Sequence, residues 1–439
     1  MTLPSIRFNR NRRRLVVATA VCSLLAGTVR GGPLRAAAVT IDITPDQPKM
    51  LGGYGPREST GVHDPIHHRV LVLNDGEHEW VLASSEFCVM SPELYETAAV
   101  RLATEQGVDR LGFWWTLTHT HSAPEIGPPG MAEVYLPDRY DHAVDETYTT
   151  EIVDALLAAI AEARAKVQPA RIGWGWGESR ANINRRARDV DGSVRLGMNP
   201  DGPVDRRIGL LRVESTSGDL IAHVANYAIH GTVLGGQSKV ISGDAPGVVS
   251  AYVEAQTGAP MLFVNGAAGD VAPLYSVYPN PRAGHLSEFR FLLGDRILSA
   301  AAEIAVKHSE VHLDLEEIVV DLPGRSGLEL TESLQVFGGR DSAGKESVRL
   351  PVRLLRFGED VAIWSAPLEL FSEVALEVRA RSSAEHTFYF GYTNGWLGYL
   401  LTDEELPLGG YEPRVSPFGP GAAPKLAHQV SQYLEGDSN

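Results

Sequence analysis

Cysteine is almost absent from this chain, with only Cys22 and Cys88 in 439 residues. Cys22 belongs to a leader segment, so the mature chain keeps Cys88 alone and can form no internal disulfide, even in an oxidising compartment. Acidic residues are missing before Asp42, whereas seven arginines precede residue 36. Basic residues are scarce beyond that point. The whole chain carries 39 Lys and Arg against 55 Asp and Glu, a net charge of −16, and without the seven leader arginines the mature chain stands near −23. A surface of that sign repels phosphate backbones and excludes nucleic acid as a partner. After the leader no apolar run reaches 18 residues, so no transmembrane helix is expected in the mature chain, and contact with a membrane surface is expected to be transient at most. Also missing are the GxSxG elbow, the Walker A loop, a HExxH helix and a GxGxxG turn after a strand. Their absence removes the commonest signatures of serine hydrolases, P-loop enzymes, helical zinc proteases and dinucleotide-binding enzymes.

What is present begins with the leader. Arg7, Arg10, Arg12, Arg13 and Arg14 precede the 13-residue apolar run Leu15 to Gly27. That run is too short to span a bilayer but suits the apolar core of a signal peptide, and Arg12–Arg13 ahead of Leu15 and Val16 fits the twin-arginine type. Val21 before Cys22 makes a poor lipidation site. Small residues continue to Ala36, Ala37 and Ala38. Residues 1–38 are therefore expected to be a leader, residues 39–439 a single catalytic domain, and the protein an exported one, periplasmic or extracellular. The composition, 44% apolar and 21% charged, is that of an ordinary globular chain. The 44 Gly and 27 Pro predict many turns.

Three segments share one plan, an apolar β-rich run ending in a polar cluster. Phe113 to Leu117 leads into Thr118-His119-Thr120-His121-Ser122, Leu220 to Ala228 into His230-Gly231-Thr232, and Met261 to Val264 into Asn265-Gly266-Ala267-Ala268-Gly269-Asp270. A helix over Pro246 to Gln256 between the last two gives a β-α-β order, and Thr147 to Lys166 reads as a longer amphipathic helix. Val352 to Phe357 and Val361 to Ser365 flank Gly358-Glu359-Asp360 as a hairpin, followed by a helix from about Leu370 to Arg381 and a strand over His386 to Tyr392. Residues 323–348, rich in Gly, Ser and charge, read as a surface excursion. The expected fold is α/β, a layered mixed sheet flanked by helices, with a metal site at the carboxyl ends of strands, where open α/β sheets place their ligands.

The candidate chemistry lies in those strand ends. If Thr118-His119-Thr120-His121 continues the strand, its two imidazoles lie on one face about 7 Å apart, one placed to bind a metal and the other to move a proton. The plainer reading is a pair of solvated histidines. Taken singly, His230 reads as a satisfied polar residue, Glu369 as a helix N-terminal acid favoured by the dipole, Tyr399 and Tyr411 as core or rim aromatics, and Arg185 as a surface charge.

In series these residues match a pattern. Asp42-Ile43-Thr44-Pro45, Gly53-Tyr54-Gly55, Gly61-Val62-His63-Asp64-Pro65, the Thr118–Ser122 cluster, Asn184-Arg185, Asn226 to His230, Ser242-Gly243-Asp244, Asn265 to Val271, Pro367-Leu368-Glu369, Tyr399, Thr402, Glu404-Glu405, Tyr411-Glu412 and Gly419-Pro420 follow in order. From about Val39 to Pro420 the chain resembles the neutral/alkaline non-lysosomal ceramidase family, in its N-terminal catalytic part. Family enzymes carry a further C-terminal β-sandwich domain, and a short form without it is expected here. The resemblance implies a zinc-dependent amidase, with His119, His230, Glu369 and Tyr399 as ligands to Zn2+ and His121, Arg185 and Tyr411 around the reaction centre. His121 would shuttle a proton and Arg185 would steady the oxyanion. A catalytic zinc keeps one position open for water. The family usually has serine where this chain has Ala272, tends to asparagine at Leu274 and to glycine at Leu368. The expected substrate is the N-acyl amide of ceramide or of a related lipid. The alternatives are a zinc hydrolase of another amide or ester, and a non-catalytic secreted metal-binding protein on the same scaffold.

Overall fold

The computed structural model describes residues 31–274, 276 and 285–435. The expected signal peptide and its twin-arginine pair lie outside the described residues. Arg35–Asp42, which overlaps the expected leader, is a strand with Ala36 and Ala37 buried. The folded chain thus begins before residue 39.

The larger sheet has eight strands, in the order Met261–Asn265, Leu220–Tyr227, Arg207–Ser215, Gln168–Glu178, Arg35–Asp42, His67–Asn74, Glu79–Ser85 and Phe113–Leu117. The two outermost pairs are parallel and the inner ones antiparallel. Its strands alternate between two buried faces. Leu71, Leu73, Trp80, Leu82 and Trp114 pack on one side, and Val70, Val72, Val81, Ala83 and Trp115 on the other. A strand buried on both faces reads as a continuous apolar run, as Phe113–Leu117 does in the sequence.

A smaller sheet runs Leu313–Pro323, Glu346–Phe357, Val361–Ser365, His386–Phe390, with Gly338–Arg340 beside Glu346–Phe357. Its Leu355, Phe357, Ile363, Phe388 and Phe390 meet Trp80, Trp114, Leu211 and Val264 of the larger sheet. The stretch expected to be a surface excursion is in part sheet. Pro323 pairs with Ser347, and a 3-10 turn, Glu332–Phe337, lies between the paired strands. Along Leu313–Pro323 Asp314, Glu316 and Glu317 are exposed, which dilutes the apolar signal there.

Helices close both outer faces. Pro92–Gln106 and Glu146–Ala165 cover one half of the larger sheet, Asp244–Thr257 and Asp295–Ala302 the other, and Ser372–Arg381 and Ala422–Leu434 cover the smaller sheet. The architecture is helix, sheet, sheet, helix, each element burying its apolar face on the next. The first helix is set locally. Ser91 Oγ accepts from the Leu94 N–H at 3.2 Å, Pro92 occupies the first turn, and Gly107 ends it at φ 67°.

One irregularity matters for function. Arg35–Asp42 and Gln168–Glu178 share only Arg35↔Pro169 and Ala36↔Gln168 before they diverge. The sheet rolls at this seam. A flat sheet would hold its edge strands about 33 Å apart, seven spacings of roughly 4.8 Å. Here Ser84 Oγ donates to the Phe263 carbonyl and Asn265 Nδ2 to the Thr118 carbonyl at 3.1 Å. The ends of the two edge strands therefore meet.

Candidate metal centre

The loops that follow the three strand ends are bound to one another. His121 N–H donates to the Gly231 carbonyl at 2.8 Å, and Gly231 N–H to the His119 carbonyl at 3.2 Å. Asn265, fully buried, joins both loops. Its Oδ1 accepts from the Ile229 N–H at 3.1 Å, and its Nδ2 donates to the Ile229 carbonyl at 2.7 Å and the Thr118 carbonyl at 3.1 Å. From the other layer, the short strands Glu369–Leu370 and Tyr399–Leu400 pair in parallel with Glu369 opposite Tyr399. Arg185 comes from the strand Asn182–Arg188, which pairs through Ile183 with Ala272.

All seven residues expected around the centre lie in this one cluster. The strand reading of Thr118–His121 does not hold, because the strand ends at Leu117 and His119 has φ 63°. The left-handed turn nonetheless brings His121 Nε2 to 3.1 Å from His119 Nε2. Glu369 is no helix cap. It lies buried two residues after Pro367, and the helix starts only at Ser372. Arg185 is no surface charge. Its guanidinium donates to His230 Nε2 at 2.8 Å, to Tyr399 Oη at 3.1 Å and to Glu412 Oε1 at 3.0 Å. Tyr411 stands edge-on to Tyr399, with ring centroids 5.8 Å apart.

The lone pairs decide what can sit in the middle. His119 Nδ1 lies 2.8 Å from the Cys88 carbonyl, so the neutral imidazole keeps its proton on Nδ1 and offers Nε2 as the acceptor for a metal. His230 Nε2 receives the Arg185 N–H and is an acceptor too. Both face Glu369 Oε2, at 3.4 Å and 3.1 Å. His119, His230 and Glu369 thus offer three acceptors within 4.8 Å of one another. Acceptors facing one another in a buried site call for a cation, and an imidazole whose second nitrogen donates to a backbone carbonyl is the usual arrangement of a metal ligand. Two imidazoles and a carboxylate match the donor preference of zinc.

The charges agree. Burial alone would lower His119, but the Glu369 carboxylate overrides it and lifts the imidazole to about 10. Burial, with Arg185 and His119 as neighbours, drops His230 to about 3. Burial would raise Glu369, yet His119 and His230 hold it well below the usual carboxylate range. Burial and the Glu369 charge keep Tyr399 a neutral phenol. His121 is pushed well below 6.5 by burial, then by His119 and His230, and is neutral.

Several residues that position the cluster escaped the sequence. Trp396 Nε1 donates to Glu369 Oε1 at 3.0 Å and Tyr392 Oη to Glu369 Oε2 at 3.3 Å. Tyr392, itself at φ 52°, stacks on His119 with centroids 4.2 Å apart. Glu412 holds Arg185 and Arg186 together. Its place directly after Tyr411 was the available signal. Nothing local marks Tyr392 or Trp396. Beside the cluster a cleft of about 270 Å³ is lined by Met50, Cys88, Val89, Ile126 and Tyr140.

The sequence profile of the N-terminal part of neutral/alkaline non-lysosomal ceramidases matches residues 38–274, more than half of the chain. The chain belongs to this family. Neutral ceramidase A of Dictyostelium discoideum is 26% identical over 362 residues, which cover 77% of this chain and 44% of that protein. Neutral ceramidase of Pseudomonas aeruginosa is 24% identical, the match covering 88% of this chain and 70% of that one. The chain thus spans less than half of the Dictyostelium ceramidase. The fold is that of the crystal structure of the Pseudomonas aeruginosa neutral ceramidase, with a TM-score of 0.74 at 19% identity over 92% of this chain and 74% of that one. A ceramidase complexed with C2 superposes with a TM-score of 0.73 at 20% identity. The profile match ends at residue 274, so Glu369, Tyr399 and Tyr411 join the cluster from beyond it.

Proposed function

We propose that this chain is an exported, zinc-dependent amidase that hydrolyses the N-acyl amide bond of ceramide or of a related N-acyl lipid. The convergence of three acceptors from His119, His230 and Glu369, with His121 beside them, carries this reading. His119, His230, Glu369 and Tyr399 would hold the ion. A bound zinc supplies a Lewis acid for the amide carbonyl and acidifies the attacking water. His121, neutral and with Nε2 turned to the cluster 3.1 Å from His119 Nε2, accepts the proton of that water and passes it to the leaving amine. Arg185 fixes His230 and Tyr399 and brings its positive charge to the place where negative charge develops on the carbonyl oxygen. The half-apolar cleft that shares Cys88 with the cluster offers room for an acyl chain. Among the described residues no helix is long and apolar enough to cross a membrane. Ala272 is buried where a serine nucleophile of the family pattern would stand, so no acyl-serine forms.

The test is a panel of N-acyl substrates differing in head group, assayed with zinc-stripped and zinc-reloaded protein. N-acyl sphingoid bases are expected to be cleaved only by the reloaded form, with His230→Ala inactive and lower in zinc by one ion per chain. Full hydrolysis by stripped protein, or an acyl group trapped on a serine, would overturn the proposal.

A further inference from the structure

A second cluster of donors lies at the opposite end of the larger sheet. Asp75 sits in the turn between His67–Asn74 and Glu79–Ser85 and is 3% exposed. Its Oδ1 accepts from the N–H groups of Glu77 and His78 at 2.8 and 2.6 Å, and its Oδ2 from Leu313 N–H at 2.8 Å. The carboxylate is therefore fixed by three backbone donors. Two imidazoles are turned toward it. His78 Nδ1 and His312 Nδ1 each stand 3.6 Å from Asp75 Oδ2. The two rings meet edge to face at 5.4 Å, and all three donor atoms lie within 4.8 Å of one another.

Neither histidine makes a hydrogen bond to that oxygen, because 3.6 Å exceeds the limit of about 3.2 Å for N–H···O. His78 Nδ1 is buried without a hydrogen-bond partner among the described residues. Two ligand atoms at roughly 2.1 Å from one tetrahedral ion stand about 3.4 Å apart. The observed spacing matches ligands sharing an ion better than it matches a direct contact. We infer that Asp75, His78 and His312 form a second metal site, for a first-row divalent ion of the zinc type held by two imidazoles and one carboxylate, with solvent completing the shell.

The site is separate from the cluster around His119. The turn carrying Asp75 and His78 precedes Glu79–Ser85, whereas His119 follows Phe113–Leu117, which runs parallel to that strand. Seven residues of strand at roughly 3.3 Å each put more than about 20 Å between them. His312 directly precedes Leu313–Pro323 of the smaller sheet, so an ion here ties a hairpin of one sheet to the residue leading into the other. Its role is structural, and it leaves the reaction centre untouched.

The experiment counts zinc in the full chain after stripping with a chelator and back-titration, in wild type, His312→Gln, His78→Gln, His230→Ala and the His230→Ala/His312→Gln double variant. Both His78 and His312 are partly exposed, and either substitution should leave a folded chain. The expected counts are two for wild type, one for each single variant and none for the double. His312→Gln should keep hydrolysis within two-fold of wild type while losing much of the zinc-dependent rise in unfolding temperature. A wild-type count of one that vanishes in His230→Ala would overturn the assignment. So would a count of two that neither His78→Gln nor His312→Gln lowers. Because His230→Ala reports the other cluster separately, failure here leaves the proposed activity standing.

Discussion

Asn265 offers a measurable link between the fold and the centre. Its side chain is wholly buried and makes three hydrogen bonds that fasten the loop of His119 to the loop of His230. Asn265→Ala leaves one N–H and two carbonyls without a partner. Each buried unsatisfied group costs about 1–3 kcal/mol, and some water will enter the space vacated, so a loss of about 3–5 kcal/mol is expected. That is a large part of the 5–15 kcal/mol typical of a folded chain. The histidines should also lose alignment, weakening zinc binding by about 10- to 100-fold, the usual effect of removing a group that orients ligands. Asn265→Asp should be worse still, since it keeps the acceptor for Ile229 N–H but turns a carboxylate toward two carbonyls. The assay is urea unfolding of the zinc-free protein, followed by zinc titration against a competing chelator. If Asn265→Ala unfolds within about 1 kcal/mol of wild type and binds zinc equally well, the clamp is not what holds the loops together.

His121→Ala should lower turnover by about 10²- to 10⁴-fold, the range of general acid–base groups, while the zinc content stays unchanged. Ala272→Ser, by contrast, should leave turnover within about two-fold. Gly53 has φ 85°, and a Cβ there would stand 2.4 Å from His121 Cγ. Gly53→Ala should therefore displace His121 and reduce turnover without loss of zinc, as crystallography and metal analysis of the variant would show. His68 is fully buried, accepting from Ser85 Oγ at 2.6 Å and donating to the Ile152 carbonyl at 3.1 Å, and burial holds it at about 4. The unfolded chain takes up this proton near pH 6.5 and the folded chain resists it, so the contribution is whole above pH 6.5 and is lost as pH falls toward 4. The loss amounts to about 3 kcal/mol. Urea midpoints across that range should fall more steeply for wild type than for His68→Gln, and equal slopes would contradict the assignment.

The sequence carried the strands Phe113–Leu117 and Met261–Asn265, whose largely apolar runs follow from burial on both faces, but not His67–Asn74 or Glu79–Ser85. It also carried the β-α-β unit, whose helix runs Asp244–Thr257. The order of strands in space was hidden. The seam between Arg35–Asp42 and Gln168–Glu178 rests on two backbone pairs with no side-chain signature. For the centre, the histidines and Arg185 could be named only as members of a series. Their local settings pointed elsewhere: a strand face for His119 and His121, a helix cap for Glu369, open surface for Arg185. Left-handed backbone is uncommon for any residue but glycine, and for the bulky Tyr392 it must be imposed by tertiary packing. Trp396 and Tyr392 read as ordinary core aromatics until Glu369 is seen between them.

The pairing of Glu369 with Tyr399 gives the centre a place in time as well as in space. His119, His121, Arg185 and His230 leave the ribosome well before the strands that answer them. At about 5–20 residues per second, the interval between His230 and Glu369 lasts roughly 7–28 s. Until then the histidines have no carboxylate opposite, and the rolled sheet has no second sheet against its Trp80 and Trp114 face. A nascent chain at this stage presents a wide apolar surface and an unfinished set of donors. The last third of the chain thus acts on the rest as a partner would, arriving to complete both the core and the centre together.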